Sequence, residues 1–423
     1  MSTVHVIGAG MAGLGAVVAL ASSGQRVRLW EAANHAGGRC RSYFDAAVDA
    51  RIDNGNHLVL SGNTAINRYL GEIGASDQLA GPESAKFHFF DLDSGERWVV
   101  WPNEGAIPWW LFNRSRRVPG ASIIDHLQAI KLAWCTADAT VAQVLGGNTA
   151  FDRLWEPLAV GVLNTQSSEA AATLLWPVVR ETFGRGGRAC KPRVAKHGLS
   201  ETFVNPALAY LKTKGAEITL GSRLRGLVRG AGRVAALEFA GEAGTINLTA
   251  EDRVILAVPP GGAAALLPEL TVPTDFRPIL NAHFKLEPGE GAEHGIIGLT
   301  GGLSQWVFTR DGLASVTVSA AEAVIDESAD VLAAKLWREV AKTLKLGARS
   351  MPAHRIVKEK RATIAQTPDQ NAKRPSVVTP LENLTLAGDW TATGLPATIE
   401  GALRSGFNAA MHGTEPLERW TSF

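Results

Sequence analysis

Cysteine is scarce and poorly placed for cross-linking. Cys40, Cys135 and Cys190 are the only three in 423 residues. An odd, dispersed set argues against a disulfide framework and points to a reducing compartment. No uninterrupted apolar run reaches the ~20 residues needed to span a bilayer, so no transmembrane helix is expected. Neither sign of charge is in excess. Lys and Arg total 42 against 41 Asp and Glu, whereas a nucleic-acid binder should show a basic surplus. The ten histidines are scattered, with neither H-x-x-x-H nor C-x-x-C spacing, so no metal site is expected. Only three tyrosines accompany twelve tryptophans, which suggests large apolar surfaces without phenolic hydrogen bonds. What remains is a globular composition, 46% hydrophobic and 20% charged, long enough for two or three domains.

The first apolar run, TVHVIG, reads as a strand and not as a secretory leader, and it flows into glycines. Gly8, Gly10 and Gly13 form G-x-G-x-x-G between that strand and a helix of small residues; a second strand follows and ends at Glu31. Gly8 permits the turn, Gly10 lets a pyrophosphate approach the backbone, and Gly13 lets helix and sheet pack closely. The helix N-terminus, at Met11 and Ala12, then faces the phosphates with unpaired N–H groups and a favourable dipole. Glu31 is placed to accept both adenosine-ribose hydroxyls. Strand, turn, helix and acid together define a dinucleotide site without choosing between NAD and FAD.

Near the other end, LTLAGDWTATGLPATIEGALRSGFNAA reads as a strand, Leu384 to Ala387, then a turn at Gly388-Asp389, then a helix from about Pro396 to Ala410. The start of that helix, around Thr398 and Ile399, offers a positive dipole end that would stabilise negative charge on a bound cofactor.

EAANHAGGR, Glu31 to Arg39, resembles the amine-oxidase-like flavoproteins, in which E-A-x-x-x-x-G-G-R follows the second strand. The resemblance implies FAD. It places Ala32 beside the ribose acid, Gly38 and its neighbour Gly37 near the flavin, Arg39 as a holding cation, Leu224 near the adenine, and Asp389 on a ribityl hydroxyl. It also implies a Rossmann-like α/β FAD-binding domain with a discontinuous α+β substrate domain, as in amine oxidases and phytoene desaturases. The expected boundaries are 1–85, 196–270 and 376–423 for the cofactor domain, and 86–195 and 271–375 for a substrate-binding, membrane-facing domain. DNGNHLVLSGNTAINRYLGEIGA, LWEPLAVGVLNTQ, EKRATIAQTPDQNAKRP and TGLPATIEG are similar, more narrowly, to the hydroxysqualene dehydroxylase family. That implies an oxidoreductase of squalene and hopanoid-type isoprenoid biosynthesis. Hydroxysqualene, a hydrophobic isoprenoid, would be reduced to squalene by hydride from flavin, which an external electron donor must reduce. Two other readings stay open: a carotenoid-type desaturase running in the opposite redox direction, and a flavin-bound scaffold of a membrane pathway without catalysis.

Dehydroxylation needs an acid for the leaving hydroxyl and a water-poor pocket for the allylic cation. Candidate catalytic residues are Asp53 and His57 in IDNGNH, His283 in LNAHFKL, and Glu400 at the start of the C-terminal helix. Asn164, Asn281 and Trp390 are candidates for substrate contact. Plainer readings stand beside several of these: His57 bonded to backbone, Glu400 serving its helix N-terminus, Trp390 in a core, Asn164 capping a helix.

IPWWLFNRSRR combines adjacent aromatics with arginines. Trp109, Trp110, Leu111 and Phe112 are expected to enter a lipid interface while Arg114, Arg116 and Arg117 meet anionic headgroups. The expected location is cytoplasmic, peripheral on the cytoplasmic membrane. The alternative is that the aromatics fill the core of the substrate domain.

Overall fold

The computed structural model describes residues 2–292 and 295–412. Two sheets carry the fold. The first is parallel and five-stranded, ordered Glu217–Thr219, Arg26–Trp30, Thr3–Ile7, Arg253–Leu256, Leu384–Leu386. Thr3–Ile7 is buried at every residue, as a central parallel strand covered on both faces must be. Helices Met11–Ser22 and Ile399–Met411 cover one face. A three-stranded antiparallel sheet, Leu224–Gly230, Arg233–Phe239 and Thr245–Asn247, covers the other. There Trp30 stacks on Phe239 with ring centroids 4.3 Å apart.

The two helices meet backbone to backbone. A Cβ on Gly406 would lie 2.1 Å from the Ala12 carbonyl oxygen, and one on Gly15 would lie 3.0 Å from the Leu403 side chain. Met11 to Ala21 are all buried, which explains a helix apolar on every side. The C-terminal helix starts at Ile399, three residues later than the sequence suggested. Thr398 is extended, with φ −131°, and its side chain caps the helix by accepting from the Gly401 N–H.

The second sheet has seven strands, ordered His354–Ile364, Phe276–Lys285, Leu313–Ser319, Trp306–Arg310, Gly295–Thr300, Phe87–Asp91, Arg97–Val100. All pairings are antiparallel except that between Gly295–Thr300 and Phe87–Asp91. Helix Ala329–Leu344 lays Leu332, Leu336 and Val340 against one face, the i, i+4 spacing of a single stripe. Short helices between residues 109 and 189 pack on the outer strands through Phe89, Trp98 and Trp306.

The two-residue period of Phe276–Lys285 decides what the other face presents. Leu280, Ala282 and Phe284 join the core under helix Ala329–Leu344, so Asn281 and His283 point the opposite way. Their cross-strand partners are Thr317 and Ser315. The result is a buried polar face turned towards hairpin Ser42–Asp45/Ala50–Asp53 and the loop after it. No helix of the described residues is long and apolar enough to cross a membrane.

Candidate active site

The N-terminal turn forms a cradle. Gly8 has φ +108°, and a Cβ there would stand 2.4 Å from the Ala257 carbonyl oxygen; one on Gly13 would stand 1.8 Å from the Gly8 oxygen. Gly10 has nothing within 4 Å of its missing Cβ. It is the N-cap of the first helix, without a side-chain cap or an acid in the first turn. Open space and uncapped N–H groups at Met11 and Ala12 are what a phosphate requires. The Glu31 carboxylate accepts from the Ala9 and Ala33 N–H groups at 2.7 and 2.8 Å, which pins it beside the turn. Ser222 N–H donates to the Glu31 carbonyl, bringing half-buried Leu224 to the same corner. Ala32 is exposed there. Gly37 N–H donates to the Ala9 carbonyl, and a Cβ on Gly38 would meet the Gly10 Cα at 3.4 Å.

The C-terminal motif closes the cradle. Arg39 pairs with Asp389 at 2.6 Å and also donates to the Ala362 carbonyl. Gly388 N–H donates to Ser405 Oγ, which ties the turn to the helix begun by Thr398 and Ile399. Arg374, which no sequence motif singles out, is buried and donates to the carbonyls of Asp389 and Leu395. Burial holds its pKa down to about 10, against the pull of Asp389. Its only sequence signal is an arginine inside a family-like segment. These residues fit a flavin dinucleotide: an open phosphate turn, a fixed carboxylate, and an Arg–Asp pair 350 positions apart in sequence at the far side.

A second cluster gathers three of the four catalytic candidates. Asp53 accepts from Leu199 N–H, Ser42 Oγ and Arg310. It lines a cavity with His57, Asn56, Arg310 and Ser315, and Ser315 Oγ is 2.8 Å from His283 Nδ1. His283 Nε2 is buried without a partner among the described residues. Asn281 Oδ1 accepts from Thr317 and from Asn56, holding the 54–56 loop on the sheet. Lys285, the next outward position on this face, lies at the rim, paired with Asp49.

Burial lowers the pKa of His57 and of His283 to about 4, and does the same for His5 under the parallel sheet. Each is neutral when folded and titrates near 6.5 when unfolded. Their contribution to stability is therefore complete above about pH 6.5 and is lost as pH falls towards 4, at up to roughly 3 kcal/mol per histidine. The melting temperature is expected to drop between pH 7 and pH 5, and His283→Gln to blunt that drop. Parallel curves for parent and variant would refute the assignment to His283.

Three candidates are corrected. Glu400 is far from this cluster in role: it is buried and accepts from the N–H groups of Ala65 and Ile66 and from Arg404, which also pairs with Glu181. Burial pushes its pKa up, and Arg404 and the two amides oppose that. Glu400 thus clasps the start of helix Thr64–Glu72. Asn164, in left-handed conformation at the end of helix Glu156–Leu163, accepts from Ala320 N–H and donates to Arg277 O and Thr363 Oγ1. Both its donors are spent on structure. Trp390 is only 1% exposed and packs in the core beneath the parallel sheet, its N–H donating to Val258 O.

The aromatic stretch divides. Trp109 and Phe112 are exposed, whereas Trp110 and Leu111 are buried, because a 3-10 turn at Trp109–Phe112 puts positions three apart on one side. The anchor reading is corrected for those two. Arg116 and Arg117 donate to the carbonyls of Trp101 and Leu111; Arg114 is exposed.

Fold and cradle together define a flavin-dependent oxidoreductase. The family model described as flavin containing amine oxidoreductase matches residues 11–412. The chain belongs to that family and, within it, to the hydroxysqualene dehydroxylase family. The hydroxysqualene dehydroxylase of Rhodopseudomonas palustris is 46% identical over 409 residues, covering 96% of this chain and 97% of that one. That of Sinorhizobium fredii is 45% identical over 408 residues, with the same coverage. A zeta-carotene desaturase of Synechocystis sp. is 22% identical over 96% of each chain. Among solved structures, an oxidoreductase from Methanosarcina mazei has a TM-score of 0.71 at 13% identity, covering 96% of this chain and 99% of its own, a likeness of fold.

Proposed function

We propose that the protein binds FAD and reduces hydroxysqualene to squalene. The observation that carries this reading is the 45–46% identity to two hydroxysqualene dehydroxylases over 96% of the chain. FAD is favoured by a pyrophosphate turn with a ribose-type acid at one end and the Arg39–Asp389 pair at the other.

The balance of the reaction sets what the protein must do. The allylic C–O bond breaks, the oxygen takes a proton and leaves as water, and a new C–H bond forms. When bound, reduced flavin supplies the hydride for that bond. His57 is the group placed to protonate the leaving oxygen: it lines the cavity beside Asp53, whose charge favours the imidazolium against the burial that lowers its pKa, and the imidazolium returns to neutral imidazole on giving up the proton. Arg310 and Ser42 hold Asp53 behind it, so Asp53 sets the field and His57 offers the N–H. Phe308 lines the cavity and packs against the apolar cluster that holds Trp155 and Leu158, a surround that would keep water from the cation.

Reduced protein, incubated anaerobically with hydroxysqualene in detergent, is expected to yield squalene as the flavin reoxidises. Flavin that stays reduced, with no squalene in the lipid extract, would sink the proposal. His57→Phe should slow the chemical step on the order of a hundredfold with flavin content unchanged. Loss of flavin in that variant would make His57 structural.

A further inference from the structure

Among the described residues, thirteen large apolar side chains are exposed, and seven of them lie between residues 107 and 134. Ile107, Trp109 and Phe112 come from the first segment of that stretch. Ile124, Leu127, Ile130 and Trp134 come from the second, which no sequence motif singles out. The second set repeats every three to four residues along the helical turns Ile123–Leu127 and Gln128–Trp134, while His126, Ala129 and Leu132 face inward. The outward row therefore forms one face. Both segments rest on a shared base: the Trp110 ring meets His126 edge-on at 5.6 Å, and Val118 N–H donates to His126 Nε2. They present a single apolar surface.

Charge narrows what covers it. Gly187 N–H donates to the Asn103 carbonyl, so exposed Arg185 and Arg188 flank the apolar face near Ile107. Segments 103–138 and 183–188 together hold six cations and three carboxylates, in a chain whose overall count is balanced at 42 to 41. Exposed indoles, aliphatic side chains and a cationic surround are the makeup of an interfacial lipid site.

We infer that this surface, built from residues 107–112 and 123–134, seats the protein on an anionic lipid bilayer without crossing it. The proposal rests on the squalene reading for its purpose, since a substrate of that kind resides in lipid, and on the exposed rows for its geometry.

Flotation of the flavin-loaded protein with phosphatidylcholine–phosphatidylglycerol vesicles tests it. The parent should float, less so with phosphatidylcholine alone or at high salt. Ile130→Ser with Trp134→Ser, and separately Trp109→Ser with Phe112→Ser, should each lower the partition coefficient on the order of tenfold or more. Both should keep flavin absorbance, melting temperature and turnover of detergent-dispersed hydroxysqualene. Phe44→Ser, an exposed aromatic elsewhere, should float like the parent. A parent that does not float, serine variants that float as well as the parent, or a parent that instead dimerises through this face in sedimentation would overturn the proposal. A parent that floats but makes no squalene in detergent would refute the dehydroxylase reading and leave the docking surface standing.

Discussion

Gly8→Ala is expected to lose both stability and flavin, whereas Gly10→Ala loses flavin alone. The two glycines differ in what a methyl group would meet. At Gly8 the backbone has φ +108°, and the nearest atom to a Cβ is a carbonyl oxygen, Ala257 O, which no side-chain rotation can move. Left-handed strain and a backbone clash together should cost about 3–5 kcal/mol. At Gly10 the backbone is ordinary, with φ −74°, and the space is open. A methyl group there should leave the fold intact and occupy the place of a phosphate, weakening flavin binding on the order of a hundredfold. Thermal unfolding of the apoprotein and flavin titration separate the two effects. A Gly10→Ala protein that binds flavin like the parent would show that no phosphate approaches this turn.

Glu400→Ala should lower stability by about 3–5 kcal/mol, the usual consequence of removing one member of a buried ion pair. It would leave Arg404 with Glu181 as its remaining carboxylate and strip the N–H groups of Ala65 and Ile66 of their acceptor. Glu400→Gln keeps an acceptor oxygen and should recover part of the loss. Denaturant unfolding gives the free energies, and turnover per bound flavin gives the other half of the test. A Glu400→Ala protein of parental stability whose flavin-normalised turnover is abolished would restore Glu400 as a chemical participant.

Glu400 also illustrates what the sequence could and could not reveal. Its i, i+4 partner Arg404 is visible in EGALR, but Glu181 is 223 positions away from Arg404 and the amides it caps are 334 and 335 away. Local patterns, by contrast, were legible where one short segment carries the whole geometry. The glycine turn, Glu31 and the Gly388-Asp389 turn all do so, because each role is set by backbone conformation within a few residues. Asp53, His57 and His283 were recognisable as polar residues in unusual places, yet Arg310, which holds Asp53, gave no signal from its own neighbours. The aromatic stretch failed for a different reason. Four adjacent apolar residues look alike in sequence, and only the tight turn decides that Trp109 and Phe112 face out while Trp110 and Leu111 face in.

The contact between Gly406 and Ala12 sets a timetable for synthesis. Helix Met11–Ser22 is made long before Ile399–Met411, which covers it. At the usual pace of translation, the interval is roughly 20–80 s. Throughout it, a helix with no polar side has one flank uncovered, and Arg39 has no Asp389 to meet. Flavin can therefore find a complete berth only once Asp389 and helix Ile399–Met411 have been made. A ribosome that stops some thirty residues short of Met411 would release a chain with its glycine turn intact and no means of keeping the cofactor.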